Sequence, residues 1–162
     1  MVTMSTMDLD ALRAKIAEIP DPEVPVLTIE DLGVLRRVEE RNGNVVVTIT
    51  PTYSGCPAMH HIEQSIRTAL NDAGVEGDVE TVFSPAWTTE WVSDEGKAKL
   101  RDYGIAPPRH IESAVSITNV PVRCPQCNSA RTEVISTFGS TACKSLWRCL
   151  DCLEPFDHFK EL

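Results

Sequence analysis

Six cysteines carry most of the chemistry that this 162-residue sequence offers. Four of them form two C-x-x-C pairs, CPQC (Cys124 and Cys127) and CLDC (Cys149 and Cys152), with 21 residues between the pairs. Two residues between cysteines let a tight turn point both thiolates at one ion, and two such turns complete a tetrahedron. Because protein thiolates would fill all four positions, no position is left for a reactive water. The spacing therefore predicts a structural zinc site.

Other uses of these four cysteines stay open at this level. Two disulfides, a rubredoxin-type iron centre or an iron–sulfur cluster would each engage the same thiols. The first twenty residues show no secretory leader, which favours metal ligation over disulfides and predicts a cytoplasmic location. Cys143, a fifth cysteine in this region, is surplus to one zinc ion. It is either a packed small residue or a spare thiol that takes part in metal exchange.

Cys56 stands apart from the other cysteines, in the segment TPTYSGCPAMHHIEQSI. Proline is favoured at the first position of a helix, so Pro57 predicts that Cys56 lies near a helix N-cap. Unpaired backbone N–H groups and the positive end of the helix dipole would lower the pKa of a thiol at that place. His60 follows four residues later, about one helical turn above the sulfur.

Three interpretations of Cys56 are compatible with this chemistry. It is a buried inert residue, a nucleophile with His60 as its base, or a thiolate that binds iron or an iron–sulfur cluster. No Asp or Asn can be assigned to orient His60, which weakens the second interpretation. Clusters usually take four protein ligands, so a single thiol suits weak and transient binding.

Local signals around Cys56 predict the elements of a small α+β domain. β-Branched segments beside Asn42-Gly43 predict a hairpin, because this dipeptide supplies the positive φ angles of the turn. Apolar spacing and capping residues predict the remaining elements, which are helices over residues 8–19, 59–73 and 93–103 and a third strand at DVETVFSP. The predicted fold class is α+β, with helices packed on a small, mainly antiparallel sheet.

Composition and charge divide the chain further. We predict the α+β domain over residues 1–106, a proline-containing linker over 107–120, and a zinc ribbon over 121–162. The net charge is −9; residues 1–119 carry 10 basic and 19 acidic side chains, and residues 120–162 carry five of each. Neither part has the basic excess that nucleic-acid phosphates require, and no apolar run reaches the ~18 residues of a membrane span. We expect neither nucleic acid nor membrane as a partner.

Several segments resemble a known family. DPEVPVLTIEDLGVLRRVEE, VTITPTYSGCPAM, VFSPAWTTEWVS and LRDYGIAPP, which together cover about residues 8–106, resemble the metal–sulfur cluster assembly domain of cytosolic iron–sulfur targeting factors and their bacterial relatives. CPQCNS and FGSTACKSLWRCLDCLEPFDHFK resemble the zinc-ribbon tail of one branch, the D-subunit family of the bacterial phenylacetyl-CoA epoxidases (ring 1,2-epoxidases). The combination covers nearly the whole chain and is more specific than either part.

The resemblance implies a function for the chain. It implies a non-catalytic accessory protein of aerobic phenylacetate degradation that helps to mature or insert the iron–sulfur or iron centre of a multicomponent monooxygenase. A structural or adaptor subunit without cluster chemistry is the alternative. The implied partners are the oxygenase and reductase subunits of the epoxidase complex or iron–sulfur assembly proteins, and a homodimer would bring two Cys56 thiols to one cluster.

The resemblance also implies roles for particular residues. Cys56 aligns with the functional cysteine of the family, where it would bind a transient iron–sulfur cluster or iron. Asp21 and Glu23 belong to the acidic DPE loop, which is typically near that cysteine. Trp87 also lies in a matched segment, either as a core aromatic residue or as an anchor for a docking partner.

Overall fold

The computed structural model of the protein describes residues 8–110 and 121–162, and the chain divides into two compact units between Trp87 and Thr88. A 3-10 turn spans Thr89–Trp91. The helices and strands, in chain order, are α1 (Leu9–Ala17), β1 (Leu35–Arg41), β2 (Asn44–Ile49), α2 (Ala58–Asp72), β3 (Gly77–Thr81), α3 (Asp94–Asp102), β4 (Ile105–Ala106), β5 (Thr132–Ser136), β6 (Lys144–Cys149) and β7 (Pro155–Phe159). None of the helices in the described ranges has the length and apolar composition that a membrane crossing needs.

The first unit contains a three-stranded sheet in the order β1-β2-β3. β1 and β2 form the predicted hairpin, and the turn residues Asn42 and Gly43 have φ angles of +54° and +86°. β2 and β3 pair in parallel, because α2 carries the chain back to the starting edge of the sheet before β3 begins. The sheet is therefore mixed, with β2 as its central strand.

The core of this unit depends on β2 and α2. Val45, Val47 and Ile49 alternate along β2 and are at most 1% exposed, while Ile62 and Ile66 of α2 are buried one helical turn apart. These are the periods of two and of about four that a strand face and a helix face produce. Burial of each such side chain contributes roughly 1.5–3 kcal/mol to folding. The loop that joins β2 to α2 is thus held at both ends by packed elements.

Trp87 is a core residue of the first unit. Its side chain is buried, and its indole Nε1–H donates a hydrogen bond to the carbonyl oxygen of Leu32 at 2.7 Å. A buried tryptophan needs a partner for its N–H group, and this carbonyl supplies one. Of the two interpretations of Trp87, the core aromatic residue is the one that the structure supports.

The second unit contains a four-stranded sheet in the order β4-β7-β6-β5. β6 pairs antiparallel with both β5 and β7, and β4 pairs in parallel with β7 through Ile105 and Ala106. The N-cap of α3 is Ser93, the first residue of the helix predicted over 93–103, and its Oγ accepts the backbone N–H of the residue three positions later at 2.9 Å. Val122 and Phe156 pack with two of the ribbon cysteines in the core. The α+β class and the cysteine ribbon are confirmed.

Residues 88–106 belong to the second compact unit, although the sequence analysis grouped them with the α+β domain. The physical reason is the pairing of β4 with β7, which no local signal indicates because the two strands lie far apart in the sequence. The boundaries of the domains at 1–106, 107–120 and 121–162 stay predictions. Residues 111–120 of the predicted linker lie outside the described residues.

A buried ion cluster ties the segment after β4 to the C-terminal residues. Arg109 donates to Glu161 from its backbone N and from Nε (2.9 and 2.7 Å to Oε1) and from Nη2 (3.0 Å to Oε2). The ring nitrogens of the buried His158 lie 3.2 Å from the carbonyl oxygen of Ala106 and 3.4 Å from Glu161 Oε2. Burial by itself would raise the pKa of Glu161, but the bonds from His158 and Arg109 outweigh it and hold this pKa well below its usual range.

Glu161→Gln should therefore destabilise the second unit at neutral pH by about 2 kcal/mol, because it removes charge-assisted hydrogen bonds from a buried site. A carboxyl with a depressed pKa in the folded state stabilises that state above its unfolded pKa, and this contribution is lost as the pH falls. The difference in unfolding free energy between wild type and variant should accordingly shrink below about pH 4. Urea unfolding at several pH values, followed by tryptophan fluorescence, measures it.

Glu133→Gln is the matched control, since Glu133 forms an exposed ion pair with Arg148 in the same unit. We expect this control to change the unfolding free energy by less than about 1 kcal/mol. The difference in unfolding free energy between each variant and wild type at the same pH is free of any effect of metal release that the proteins share. A pH-independent effect of Glu161→Gln would show that the packing of the side chain matters and its charge does not.

Candidate functional site

The four ribbon cysteines form one cluster. Their Sγ atoms all lie within 4.8 Å of one another, with Cys124 and Cys152 at 3.7 Å and Cys127 and Cys149 at 3.5 Å. A tetrahedral zinc ion with Zn–S bonds of ~2.3 Å requires S···S distances of about 3.8 Å. A disulfide requires ~2.05 Å, and all six cysteines are free thiols. The four residues fit a metal ion and do not fit the two-disulfide alternative.

Two similar backbone turns hold these thiols. In each C-x-x-C pair, the residue two positions after the first cysteine directs its backbone N–H at that cysteine's sulfur, at 3.4 Å. The residue after the second cysteine, Asn128 in one turn and Leu153 in the other, has a positive φ angle of +62° or +66°. N–H groups aimed at sulfur stabilise a bound thiolate and fix its direction. The ribbon therefore presents four oriented donors that fit a single tetrahedral ion.

Cys143 is separate from this cluster. Among the described residues, the group of metal-ligating side chains contains four cysteines and not the fifth. Cys143 is buried, and its sulfur lies 3.0 Å from the hydroxyl oxygen of Thr141. The structure favours the packed small residue over the exchanging thiol.

Cys56 lies in the loop that leads from β2 to α2. This loop is at the carboxyl edge of the parallel pair β2–β3, which is where open α/β sheets bind their ligands. A turn precedes the helix: the backbone N of Cys56 donates to the carbonyl of Tyr53 at 3.3 Å, and Gly55 within the turn has φ +81°. Pro57 is the helix N-cap, so the predicted position of Cys56 at the helix start is confirmed within one residue.

The predicted lowering of the thiol pKa is wrong. Burial of the half-exposed Cys56 side chain is the largest influence and raises its pKa, and the negative charge of Glu23 raises it further. Three hydrogen-bond donors act in the opposite direction, namely the backbone N–H of Ala58 and the side-chain hydroxyls of Thr52 and Tyr53. Their effect is smaller, so the free thiol is favoured over the thiolate. Neither hydroxyl was predicted to act on the thiol, although TPTYSGC contains both within four residues of the cysteine.

The two predicted acidic residues have different surroundings. Asp21 is buried, and its Oδ1 accepts the backbone N–H groups of Glu23 and Val24 at 2.9 and 2.8 Å. Asp21 therefore shapes the DPE loop. Glu23 is the one of the two whose charge acts on Cys56. The charge of Glu23 is thus close enough to influence the thiol, and the roles of Asp21 and Glu23 as ligands stay predictions.

The side chain of His60 pairs with Gln64 and not with Cys56. Its side chain is exposed, and its Nε2 lies 3.1 Å from Nε2 of Gln64, one turn further along α2. Within residues 8–110 and 121–162, no hydrogen bond joins His60 to the thiol. A nucleophile requires its base within hydrogen-bonding reach, so the geometry gives no support to a Cys56–His60 pair.

Alkylation of Cys56 by iodoacetamide should rise with pH along a curve displaced above that of an ordinary thiol, because the reactive species is the thiolate. Glu23→Gln removes the negative charge that raises the pKa of Cys56, so the variant should react faster than wild type at the same slightly alkaline pH. Mass spectrometry of the peptide that contains Cys56 gives the rate at each pH. Glu40→Gln, which alters an exposed carboxylate of β1, is the control and should leave the pH dependence of the alkylation rate unchanged. The same pH dependence in both variants would contradict the electrostatic role of Glu23.

Comparisons with known proteins match the N-terminal and C-terminal parts of the chain to two different families. Residues 9–83 match a family model described as "Iron-sulfur cluster assembly protein", and residues 110–160 match one described as "PaaD zinc beta ribbon domain". A crystal structure of a domain of unknown function, DUF59, from Bacillus anthracis is 32% identical with a TM-score of 0.51, and the match covers 57% of this chain and 90% of that one. An Fe-S protein maturation auxiliary factor of Porphyromonas gingivalis is 35% identical over 83 residues, 49% of this chain and 78% of that protein.

Fold and cysteine site together define the class as an iron–sulfur cluster assembly-type domain followed by a zinc beta ribbon. The full length matches a more specific relative, the D subunit of the "Putative 1,2-phenylacetyl-CoA epoxidase" of Escherichia coli (strain K12). The two are 45% identical over 161 residues, which is 99% of this chain and 97% of the relative. The chain belongs to the family of the 1,2-phenylacetyl-CoA epoxidase D subunits.

Proposed function

We propose that this protein is a non-catalytic accessory factor that holds iron or an iron–sulfur cluster transiently on Cys56 and delivers it to the iron protein of a phenylacetyl-CoA epoxidase system. The observation that carries the proposal is the half-buried thiol at the carboxyl edge of the parallel strands, with the backbone N–H of Ala58 and the hydroxyls of Thr52 and Tyr53 nearby and no hydrogen bond to His60 within the described residues. The names of the relatives, an epoxidase subunit and an Fe-S maturation auxiliary factor, support the same role.

The environment of Cys56 suits cargo binding better than catalysis. A raised pKa leaves little thiolate at neutral pH, so the free thiol is a weak nucleophile. A bound iron ion would displace the thiol proton, and the donors from Thr52, Tyr53 and Ala58 would then stabilise the sulfur as a ligand. One protein thiol holds iron loosely, which allows transfer to a client.

Glu23 is a further candidate ligand for this cargo. Its charge already acts on Cys56, and carboxylate oxygen is an acceptable ligand for ferrous iron. Asp21 has one carboxylate oxygen engaged by two backbone N–H groups, so we assign it the role of positioning Glu23. A second copy of the chain would supply another Cys56 thiol to a shared cluster, and this homodimer remains part of the proposal.

We assign structural zinc to the four-cysteine site. Four thiolates at tetrahedral spacing are the ligand set of structural zinc, and they leave no position open for a substrate. In this role the ribbon holds the second unit in shape for docking to oxygenase, reductase or assembly partners in the cytoplasm. The alternative is an adaptor subunit with no cluster chemistry, which the subunit name of the full-length relative favours.

Anaerobic reconstitution with ferrous iron and sulfide tests the proposal. We expect zinc to remain bound through gel filtration and treatment with a weak iron chelator, while the iron is labile and passes to the metal-free client oxygenase. Iron, zinc and acid-labile sulfide analysis before and after transfer measures both pools. Absence of any iron uptake together with a stable stoichiometric complex with the oxygenase would favour the adaptor function instead.

A further inference from the structure

The second unit contains a cavity of about 590 Å³ that the proposed function does not use. Its walls come from the end of α3, from the residues after β4 and from the first C-x-x-C turn. Arg101, Arg109, His110 and Arg123 line it, and no Asp or Glu is among the described lining residues. This is unusual in a chain with 24 acidic and 15 basic residues. Its volume lies within the range of small-molecule sites, ~300–1,000 Å³.

Two of these cations have no carboxylate partner among the described residues. Arg109 forms a bidentate ion pair with Glu161, and His110 Nδ1 lies 2.9 Å from Glu90 Oε2. Arg123 directs one nitrogen, Nη1, at the carbonyl oxygen of Asn128 at 2.9 Å. Arg101 has no hydrogen bond or ion pair from its side chain within the described part of the chain. The cavity therefore faces two guanidinium groups whose positive charge no described carboxylate neutralises.

The walls of the cavity are rigid and supply few backbone donors. Four prolines line it, namely Pro107, Pro108, Pro121 and Pro125. Proline has a fixed φ angle and no N–H group, so these four positions offer an anion no backbone donor. Gln126 and Asn128 line the same space, and each carries a neutral side-chain amide. The bidentate Arg109–Glu161 ion pair holds the lining segment after β4 against the C-terminal residues.

We propose that this cavity binds a small organic molecule through a phosphate group, with Arg101 and Arg123 as the residues that bind the phosphate. Two guanidinium groups match a doubly charged phosphate better than a singly charged carboxylate, for which one forked arginine suffices. The amides of Gln126 and Asn128 would contact uncharged parts of the ligand. The inference is independent of Cys56 and of the iron cargo.

The metal site offers a competing explanation for the two arginines. Four thiolates around a divalent ion leave a net negative charge, and Arg123 directly precedes the ligand Cys124. Arg123 would then serve the metal and not a ligand. Arg101 separates the two explanations, because it comes from α3 and no metal ligand adjoins it in the sequence.

Titration of the zinc-loaded full-length protein with pyrophosphate tests the proposal. Isothermal calorimetry should show saturable binding, weakened by added salt because the contacts are ionic. Arg101→Gln and Arg123→Gln should each weaken binding by about tenfold or more. Arg148→Gln is the matched control, since Arg148 is an exposed cation of the same unit that pairs with Glu133 and does not line the cavity. Its affinity should equal that of wild type.

Several outcomes would overturn the inference. One is the lack of saturable binding at millimolar pyrophosphate, and another is equal loss in all three variants, which would mean a general charge effect. Retention of binding in Arg123→Gln with loss of zinc would assign Arg123 to the metal site. Acetate and a glutamate-rich peptide are titrated in the same way. Tighter binding of the peptide than of pyrophosphate would indicate a protein partner and contradict a small phosphate ligand. Thermal unfolding and zinc content of each variant establish that the fold is intact.

Discussion

Cells whose only copy of this chain carries Cys56→Ser should contain a client oxygenase with its iron content reduced by about tenfold or more, and should grow poorly on phenylacetate. Serine keeps the size of the side chain and its hydrogen bonds but replaces a soft sulfur ligand by a poor one for iron. The donors from Thr52, Tyr53 and Ala58 would remain without a thiolate to stabilise. Iron analysis of the purified client and growth rates on phenylacetate measure the effect.

The variant should fold normally and keep its ribbon metal. Cys56 is half exposed and lies in the first unit, whereas the four ribbon cysteines belong to the second. Circular dichroism and zinc analysis of purified Cys56→Ser should therefore match wild type.

Cys143→Ser is the matched thiol control. Cys143 is buried beside Thr141 and is not part of the metal-ligating group. Its replacement should lower stability slightly while the client keeps its iron. Full growth on phenylacetate with Cys56→Ser would show that the thiol is not the cargo ligand, and the adaptor function would then be the better account.

Removal of the ribbon metal should unfold much of the second unit, with a loss of stability on the order of 10 kcal/mol for the metal-bound state. Two of the ligands, Cys124 and Cys149, are nearly inaccessible and pack against Val122 and Phe156 in the core. Without an ion, the chain loses the cross-link between the turn before β5 and the turn between β6 and β7. A strong zinc chelator, or the single change Cys149→Ser, provides the test.

Nuclear magnetic resonance spectra resolve the two units during this experiment. Signals from β5, β6 and β7 should collapse toward unfolded positions, while signals from β2 and α2 persist, because the first unit has its own core of Val47, Ile49 and Ile66. Readdition of zinc should restore the spectrum of the chelated wild type but not that of Cys149→Ser. An unchanged spectrum after complete metal removal would contradict the structural role of the ion.

Short-range features of this protein were predictable because their causes lie within a few residues. The Asn42-Gly43 turn, the cap at Ser93 and the two C-x-x-C turns each depend on backbone conformations that neighbouring residues impose. The clustering of the four ribbon cysteines was predictable for the same reason, since each pair of thiols is positioned by one local turn. The family resemblance then implied that the DPE loop lies near Cys56, and the influence of Glu23 on the thiol agrees with it, although no local pattern indicates this proximity.

Only the tertiary structure decided how Cys56 behaves and where β4 pairs. Local reasoning gave the thiol a helix N-terminus and a lowered pKa, but burial and the charge of Glu23, on a loop distant in the sequence, raise it. Solvent exposure and charge contacts depend on segments that meet only in the folded chain, and the pairing of β4 with β7 has the same origin. The sequence by itself determined the two C-x-x-C pairs that form the cysteine cluster, the turns, and the faces of helices and strands. The folded chain alone determined the protonation of the candidate cargo thiol and the cavity lined by Arg101 and Arg123, because both result from distant residues brought together.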